Sequence, residues 1–229
     1  MHRILIALLL CTAVCACDLP RDADGTTARI RGGTLRVGIV ENAPWVTDSA
    51  GVVGGVEAAF VGQVAQEMGA RTEWVRGPEG ELMDALKARE LDLVVGGLTA
   101  SLPWSSQVAF TRPFYTDTIV VGVEHGTLAP RELKGVRVAV EAGDPAGEYL
   151  RAKDAVPVHV RDLAGVRGPV AAPTWRLASL HRVPSGIVLH EDPHVLAAAP
   201  GENGWLVLLE RRLKDRRASF PSLLRTAKP

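Results

Sequence analysis

The chain has 229 residues, 47% of them hydrophobic, and its 26 basic and 26 acidic side chains cancel. That length carries one sizeable domain or two small lobes, and the balanced charge excludes a basic nucleic-acid surface as well as an acidic disordered block. Three cysteines, at positions 11, 15 and 17, leave nothing with which to staple the body, so the fold has to rest on its apolar core.

The N-terminus has a basic tip, Met1-His2-Arg3, an apolar run over 4–10 and a small-residue exit, Cys11-Thr12-Ala13-Val14-Cys15-Ala16-Cys17. This is the pattern of a secretory signal, and the run is too short to span a bilayer. Val14-Cys15-Ala16-Cys17 resembles the bacterial lipobox, in which lipid is attached to the cysteine thiol and cleavage makes that cysteine the new N-terminus. The resemblance implies a lipoprotein signal peptide over 1–17, lipidation at Cys17, and a body held by lipid on the outer side of a membrane. Cys15 suits the role less well, because the bulkier Val14 precedes it. An ordinary signal peptide would leave the export reading intact.

Residues 18–31 are polar, with Pro20, Gly25, Thr26 and Thr27, and read as a flexible tether. Thr34-Leu35-Arg36-Val37-Gly38-Ile39-Val40 alternates as a first strand, and Pro44 makes 42–45 a loop. Helical spacing of Val56, Phe60, Val64 and Met68 predicts a helix over 56–68, closed by Gly69. A strand over 71–75 and an amphipathic helix over 79–89 follow. Leu91-Asp92-Leu93-Val94-Val95-Gly96-Gly97-Leu98-Thr99 is the near-continuous apolar run of a strand covered on both faces. This alternation defines an α/β architecture with right-handed crossovers. Ligands of such sheets lie beyond the carboxyl ends of the strands, which places 41–45 and 96–101 on one rim. A strand over 119–123, a turn at His125-Gly126 and a second α/β set from Leu133 come next. Its strand ends at Gly143-Asp144, and the stretch 146–175 should hold a helix and a short strand at Val170-Ala171-Ala172. A returning strand over 194–199 and an amphipathic helix over 202–214 close the chain. The stretch 161–185 is hard to read, and the second lobe is expected to be trimmed there.

In this order of elements, several phrases resemble the family 3 solute-binding proteins of bacterial ABC importers. They are Gly33-Thr34-Leu35-Arg36-Val37-Gly38, Gly54-Gly55-Val56-Glu57, Leu82-Met83-Asp84-Ala85-Leu86 and the run 91–99. Phe110-Thr111-Arg112-Pro113-Phe114-Tyr115 and Leu133-Lys134-Gly135-Val136-Arg137-Val138-Ala139-Val140 complete the set. The resemblance implies a two-lobed periplasmic-binding-protein-like fold with two crossing hinge segments, lobe 1 being 32–118 plus 198–229 and lobe 2 being 119–197. It also implies a small-molecule ligand gripped by hinge closure, a membrane permease as partner, and a monomer. No cofactor and no nucleic acid belong to this reading.

Two departures stand out. Amino-acid-binding members carry an arginine shortly after the Gly-Gly-x-Thr phrase, because a guanidinium meets a carboxylate through two parallel hydrogen bonds. Trp104 stands there instead. The carboxylate that usually follows the apolar strand of lobe 2 is replaced by Pro173-Thr174-Trp175. The usual grip on a zwitterion is therefore missing.

The candidate ligand-binding residues are Glu41, Asn42, Trp45, Glu57, Gly97, Thr99, Ser101, Trp104, Gly143 and Asp144. Trp45 and Trp104 offer faces for a ring or a cation, or else serve the core and rim. Glu41, Glu57 and Asp144 could face a cationic ligand; Glu57 could equally serve its helix N-terminus, and Asp144 a turn. Asn42, Thr99 and Ser101 are hydrogen-bonding groups, and the glycines permit close approach. His190-Glu191-Asp192-Pro193-His194 has metal-ligand residue types, but Pro193 argues for a loop and no third ligand is evident. No nucleophile elbow or phosphate loop is present, and the scaffold's enzyme relatives, such as cyclohexadienyl dehydratases, also need the missing arginine. The arginines at 211, 212, 216 and 217, interleaved with Glu210 and Asp215, read as a solvated helix face. The expected function is a lipid-anchored binding protein for a small polar, cationic or aromatic solute. The alternative is a lipoprotein whose grip has decayed, serving a membrane partner as an accessory or sensory subunit.

Overall fold

The computed structural model describes residues 22–227. The signal-peptide and Cys17 expectations, and residues 18–21 of the expected tether, lie outside them. Among the described residues no helix is long and apolar enough to cross a membrane.

In chain order the elements are α1 (Thr26–Ile30), β1 (Thr34–Ile39), β2 (Thr47–Ser49), β3 (Val52–Gly54), α2 (Val56–Glu67), β4 (Arg71–Arg76), α3 (Glu79–Lys87) and β5 (Leu93–Val95). A 3₁₀ turn at Pro103–Ser106 leads to β6 (Ala109–Phe110) and the long β7 (Tyr115–Glu124). Then come β8 (Arg137–Glu141), α4 (Ala146–Arg151), β9 (Val156–Val160), β10 (Val170–Pro173), a 3₁₀ turn at Thr174–Arg176 and β11 (Arg182–His194). β12 (Ala197–Ala198), α5 (Asn203–Arg216), a 3₁₀ turn at Arg217–Ser219 and α6 (Phe220–Thr226) end the chain.

These strands form two mixed sheets, β4-β1-β5-β12-β6 and β11-β7-β10-β8-β9. In the first, β1 is parallel to β4 and β5, and β12 runs antiparallel between β5 and β6. Helices cover both faces, so Leu93, Val94 and Val95 are all buried: Leu93 and Val95 join the cluster around Phe60 and Trp205, and Val94 joins that of Leu82, Met83 and Leu86. In the second sheet β8 is parallel to β9 and β10, and β7 is antiparallel to β10 and β11. The two sheets are joined by residues 111–114 and 195–196, where the chain passes from one to the other.

The tether expectation needs correction from Asp22 onward. Asp22 bridges Glu202, α1 forms at 26–30, and Ile30 is fully buried. The cause is the buried Glu202 carboxylate at the start of α5, which accepts the amides of Asp24 (3.0 Å) and Thr26 (3.4 Å) and pairs with Arg89 (2.6 Å). The returning strand expected over 194–199 is the short β12, and a 13-residue strand not expected, β11, precedes it: it begins at Arg182 within the stretch expected to be trimmed and follows β7 back to the junction.

Candidate functional site

Strand register brings the two rims together. Pro173, at the carboxyl end of β10, pairs with Ile119 near the start of β7, and the end of β11 lies alongside with Asp192 opposite Asp117. The first lobe's loop joins this edge: the Ala100 amide donates to the Pro193 carbonyl at 2.9 Å, and Thr99 bridges His194. Residues 99–100 thus meet the end of β11 at the junction, and Asp117, Asp144, Trp175 and Asp192 gather on the second sheet's side of it.

Lobe 1 supplies most of the expected residues but turns several of them inward. Trp45 is only 4% exposed, and its ring lies 3.9 Å from that of His194, with Tyr115 at 5.8 Å and Phe114 at 6.3 Å. It is a core side chain, and the expectation of an open stacking platform is corrected. Burial pushes the His194 imidazole down to about 4, so the ring is neutral at physiological pH.

Glu57 is 1% exposed; one oxygen accepts the amides of Gly96 (2.7 Å) and Gly97 (3.0 Å), and Oε1 has no partner. Burial pushes it up to about 7 against the two amides. Glu57 therefore shapes the loop after β5 and touches no solute surface, a second correction. Gly97 sits below it with φ +70°, and a Cβ there would meet Trp45 Cδ1 at 2.5 Å and Asn42 Nδ2 at 2.6 Å. The close approach that needs this glycine is to protein side chains. Asn42 donates to the Gly96 carbonyl at 3.0 Å, Thr99 and Ser101 share a 2.8 Å hydroxyl contact, and Glu41 is exposed.

The Trp104 indole donates to Glu79 Oε1 at 2.7 Å, and its ring packs against the cluster containing Leu82, Leu98 and Val108. At the position of the missing arginine, then, stands a ring tied to the start of α3.

In lobe 2, Gly143 is exposed with φ +89°. Asp144 accepts the Ala146 amide at 2.8 Å just before α4, and burial raises its carboxyl above the usual range. It is one of a group that was not anticipated. Asp117 is 5% exposed; its Oδ2 accepts the Trp175 indole N–H at 3.1 Å, and Oδ1 has no partner. Burial, with the like charges of Asp192 and Asp144, pushes Asp117 up to about 6, against the indole N–H. Asp192 meets His190 Nε2 at 3.2 Å, and the His190 ring stacks on Tyr149 at 4.2 Å. Behind this group, Arg176 is held by Glu141 through two bonds of 2.6 and 2.7 Å. Trp175 also packs against the lobe 1 core. One signal for Asp117 was available in sequence: it falls in the same phase of β7 as the buried Ile119 and Val121, an acid where alternation calls for an apolar residue.

A two-sheet α/β body with its rims joined by crossing segments defines a solute-binding protein of the two-lobed type. The chain belongs to the bacterial extracellular solute-binding proteins, family 3, whose sequence model matches residues 35–218. Among known proteins it is similar to the ABC transporter arginine-binding protein 1 of Escherichia coli (strain K12), with 29% identity over 89 residues. That alignment spans 38% of this chain and 37% of the relative. Among solved structures it resembles an ancestral cationic amino acid solute binding protein, with a TM-score of 0.70 at 20% identity, covering 87% of this chain and 97% of that one. It also resembles a putative binding component of an ABC transporter from Wolinella succinogenes complexed with lysine, with a TM-score of 0.59 at 18% identity, covering 82% and 92%. At these identities the structures attest the fold.

Proposed function

We propose that this protein is the lipid-anchored solute-binding component of an ABC-type importer and that it captures a small organic cation between its lobes. The observation that carries the cationic assignment is Asp117: a carboxylate 5% exposed, with one oxygen unpartnered, beside two further carboxylates. Among the described residues no cation lies within salt-bridge distance of it. An ammonium or guanidinium group placed against Oδ1 would complete its hydrogen bonding and offset the charge of Asp144 and Asp192. Trp175, whose indole N–H meets Asp117, and Tyr149, stacked on His190, flank the same carboxylates. The relatives named for arginine, lysine and cationic amino acids support this charge class.

The solute need not carry a carboxylate. Trp104 replaces the arginine that would grip one, and Arg176 is already held by Glu141. The reading is tested by thermal stabilisation against lysine, arginine, diamines, guanidines, betaines and neutral amino acids. Amines and guanidines raise the melting temperature, and Asp117→Asn abolishes the effect; stabilisation by neutral amino acids instead would contradict it. A second reading, an accessory or sensory subunit with a decayed grip, is favoured by the burial of Trp45 and by the packing of Trp175 on the lobe 1 core, which occupy aromatic faces a solute would use. Silence across the whole panel would support it.

A further inference from the structure

We propose that the C-terminal half of α5 is a docking face for an anionic membrane surface, laying lobe 1 along the bilayer. The cations of this helix, with Arg217 of the 3₁₀ turn that continues it, divide between two faces. Arg212 and Arg216 turn to Glu67 of α2, at 3.0 and 3.2 Å. Arg211, Lys214 and Arg217 follow at three-residue spacing on the other side, are exposed, and among the described residues have no carboxylate within 4.0 Å. They rim a groove of about 500 Å³ together with Arg112 and Pro113 of the crossing segment and one acid, Glu210, above a floor that includes Phe114 and Leu213. The Arg112 side chain is 89% exposed and comes only within 3.8 Å of Glu210, which also accepts the Arg112 backbone amide at 2.8 Å. In a chain whose charges cancel overall, three unpaired cations on one stripe are a local field that attracts anions.

Placement selects the membrane over a soluble anion. Asp22, the first described residue, bridges Glu202 at the other end of the same helix. Cys17 lies five residues before it, a reach of at most ~18 Å. A tether at the start of α5 keeps the cationic end of that helix, ~21 Å along it, within reach of the same surface. This geometry rests on the lipid-anchor reading, whereas the charge-based attraction does not.

The experiment is vesicle co-sedimentation of the full chain at about 0.1 M salt, on phosphatidylcholine vesicles with and without 30% phosphatidylglycerol. Any contribution from the apolar N-terminal run is common to every variant. The expected preference for anionic vesicles is at least tenfold, since each surface cation contributes roughly fivefold. It collapses in R211Q/K214Q/R217Q and persists in R212Q/R216Q. No preference in the wild type, or equal loss in the two variants, would overturn the docking face. Displacement by inorganic phosphate but not by chloride of matched ionic strength would overturn it too, by showing a discrete anion pocket. Solute binding reads out separately, so failure here leaves the cationic site untouched.

Discussion

Asp192 stands directly across from Asp117 in the antiparallel pairing of β7 and β11, two carboxylates placed opposite one another on neighbouring strands. Like charges in this position destabilise a sheet. Here the pair lies next to Asp144 and beneath Trp175, and among the described residues no cation is close enough to neutralise Asp117. A fold that stores repulsion at the edge shared by its lobes stands to gain most from a positively charged solute.

The first prediction concerns pH. Asp117 is raised to about 6, so the native state holds its proton over a range where the unfolded chain has released it. Stability from this group is therefore present at low pH and is lost as pH rises from about 4 to 6. Asp117→Asn should flatten that part of the profile and stabilise the solute-free protein by about 1–3 kcal/mol at pH 8. Denaturant melts between pH 4 and 8 measure it; an unchanged slope would refute the assignment. Cation affinity has the opposite trend, rising as Asp117 ionises.

Glu57 separates a structural carboxylate from a binding one. Glu57→Ala leaves the Gly96 and Gly97 amides buried without an acceptor and should cost about 2–5 kcal/mol. Glu57→Gln keeps an acceptor and removes the stability loss that builds up as pH rises from about 4.5 to about 7. Thermal melts of both variants test this, with solute affinity unchanged in the glutamine form.

Much of the framework was readable from local pattern because it follows from local physics. The uninterrupted run 91–95 marked a strand covered on both faces, and the spacing of Val56, Phe60 and Val64 marked α2. β11 was missed because its alternation is broken by Pro184, Ser185 and Gly186, where the pairing register shifts. Trp45 and Glu57 stand out in the sequence, but local pattern does not decide their burial, which depends on His194 and Gly96–Gly97 arriving from elsewhere in the chain. The carboxylate group was illegible as a group. Asp117, Asp144 and Asp192 are separated by 27 and 48 residues; strand register pairs the first with the third, and the turn before α4 brings in Asp144.

Trp104 provides a control. Its indole bond to Glu79 and its packing on the α3 cluster make it a stability residue. Trp104→Phe should cost about 1 kcal/mol through the lost hydrogen bond and leave cation affinity within about twofold. A tenfold loss of affinity at unchanged stability would return this ring to the site.

The N-terminal segment gives a fourth test. Glu202 is buried and ties the Asp24 and Thr26 amides and Arg89 to the start of α5. Glu202→Ala should cost about 1–3 kcal/mol by leaving the Asp24 and Thr26 amides without their acceptor, while Arg89 keeps Asp24 and the Pro200 carbonyl. Amide exchange should accelerate first in residues 22–30, and uniform acceleration throughout the chain would contradict a locally docked segment.

The most direct measurement compares calorimetric titrations of arginine and of agmatine, the same guanidinium without the carboxylate. With no arginine to grip a carboxylate and an unpartnered Asp117 awaiting a cation, agmatine should bind at least as tightly as arginine, and both should be lost in Asp117→Asn. Binding of arginine at least tenfold tighter than agmatine, or undiminished binding by Asp117→Asn, would contradict the account.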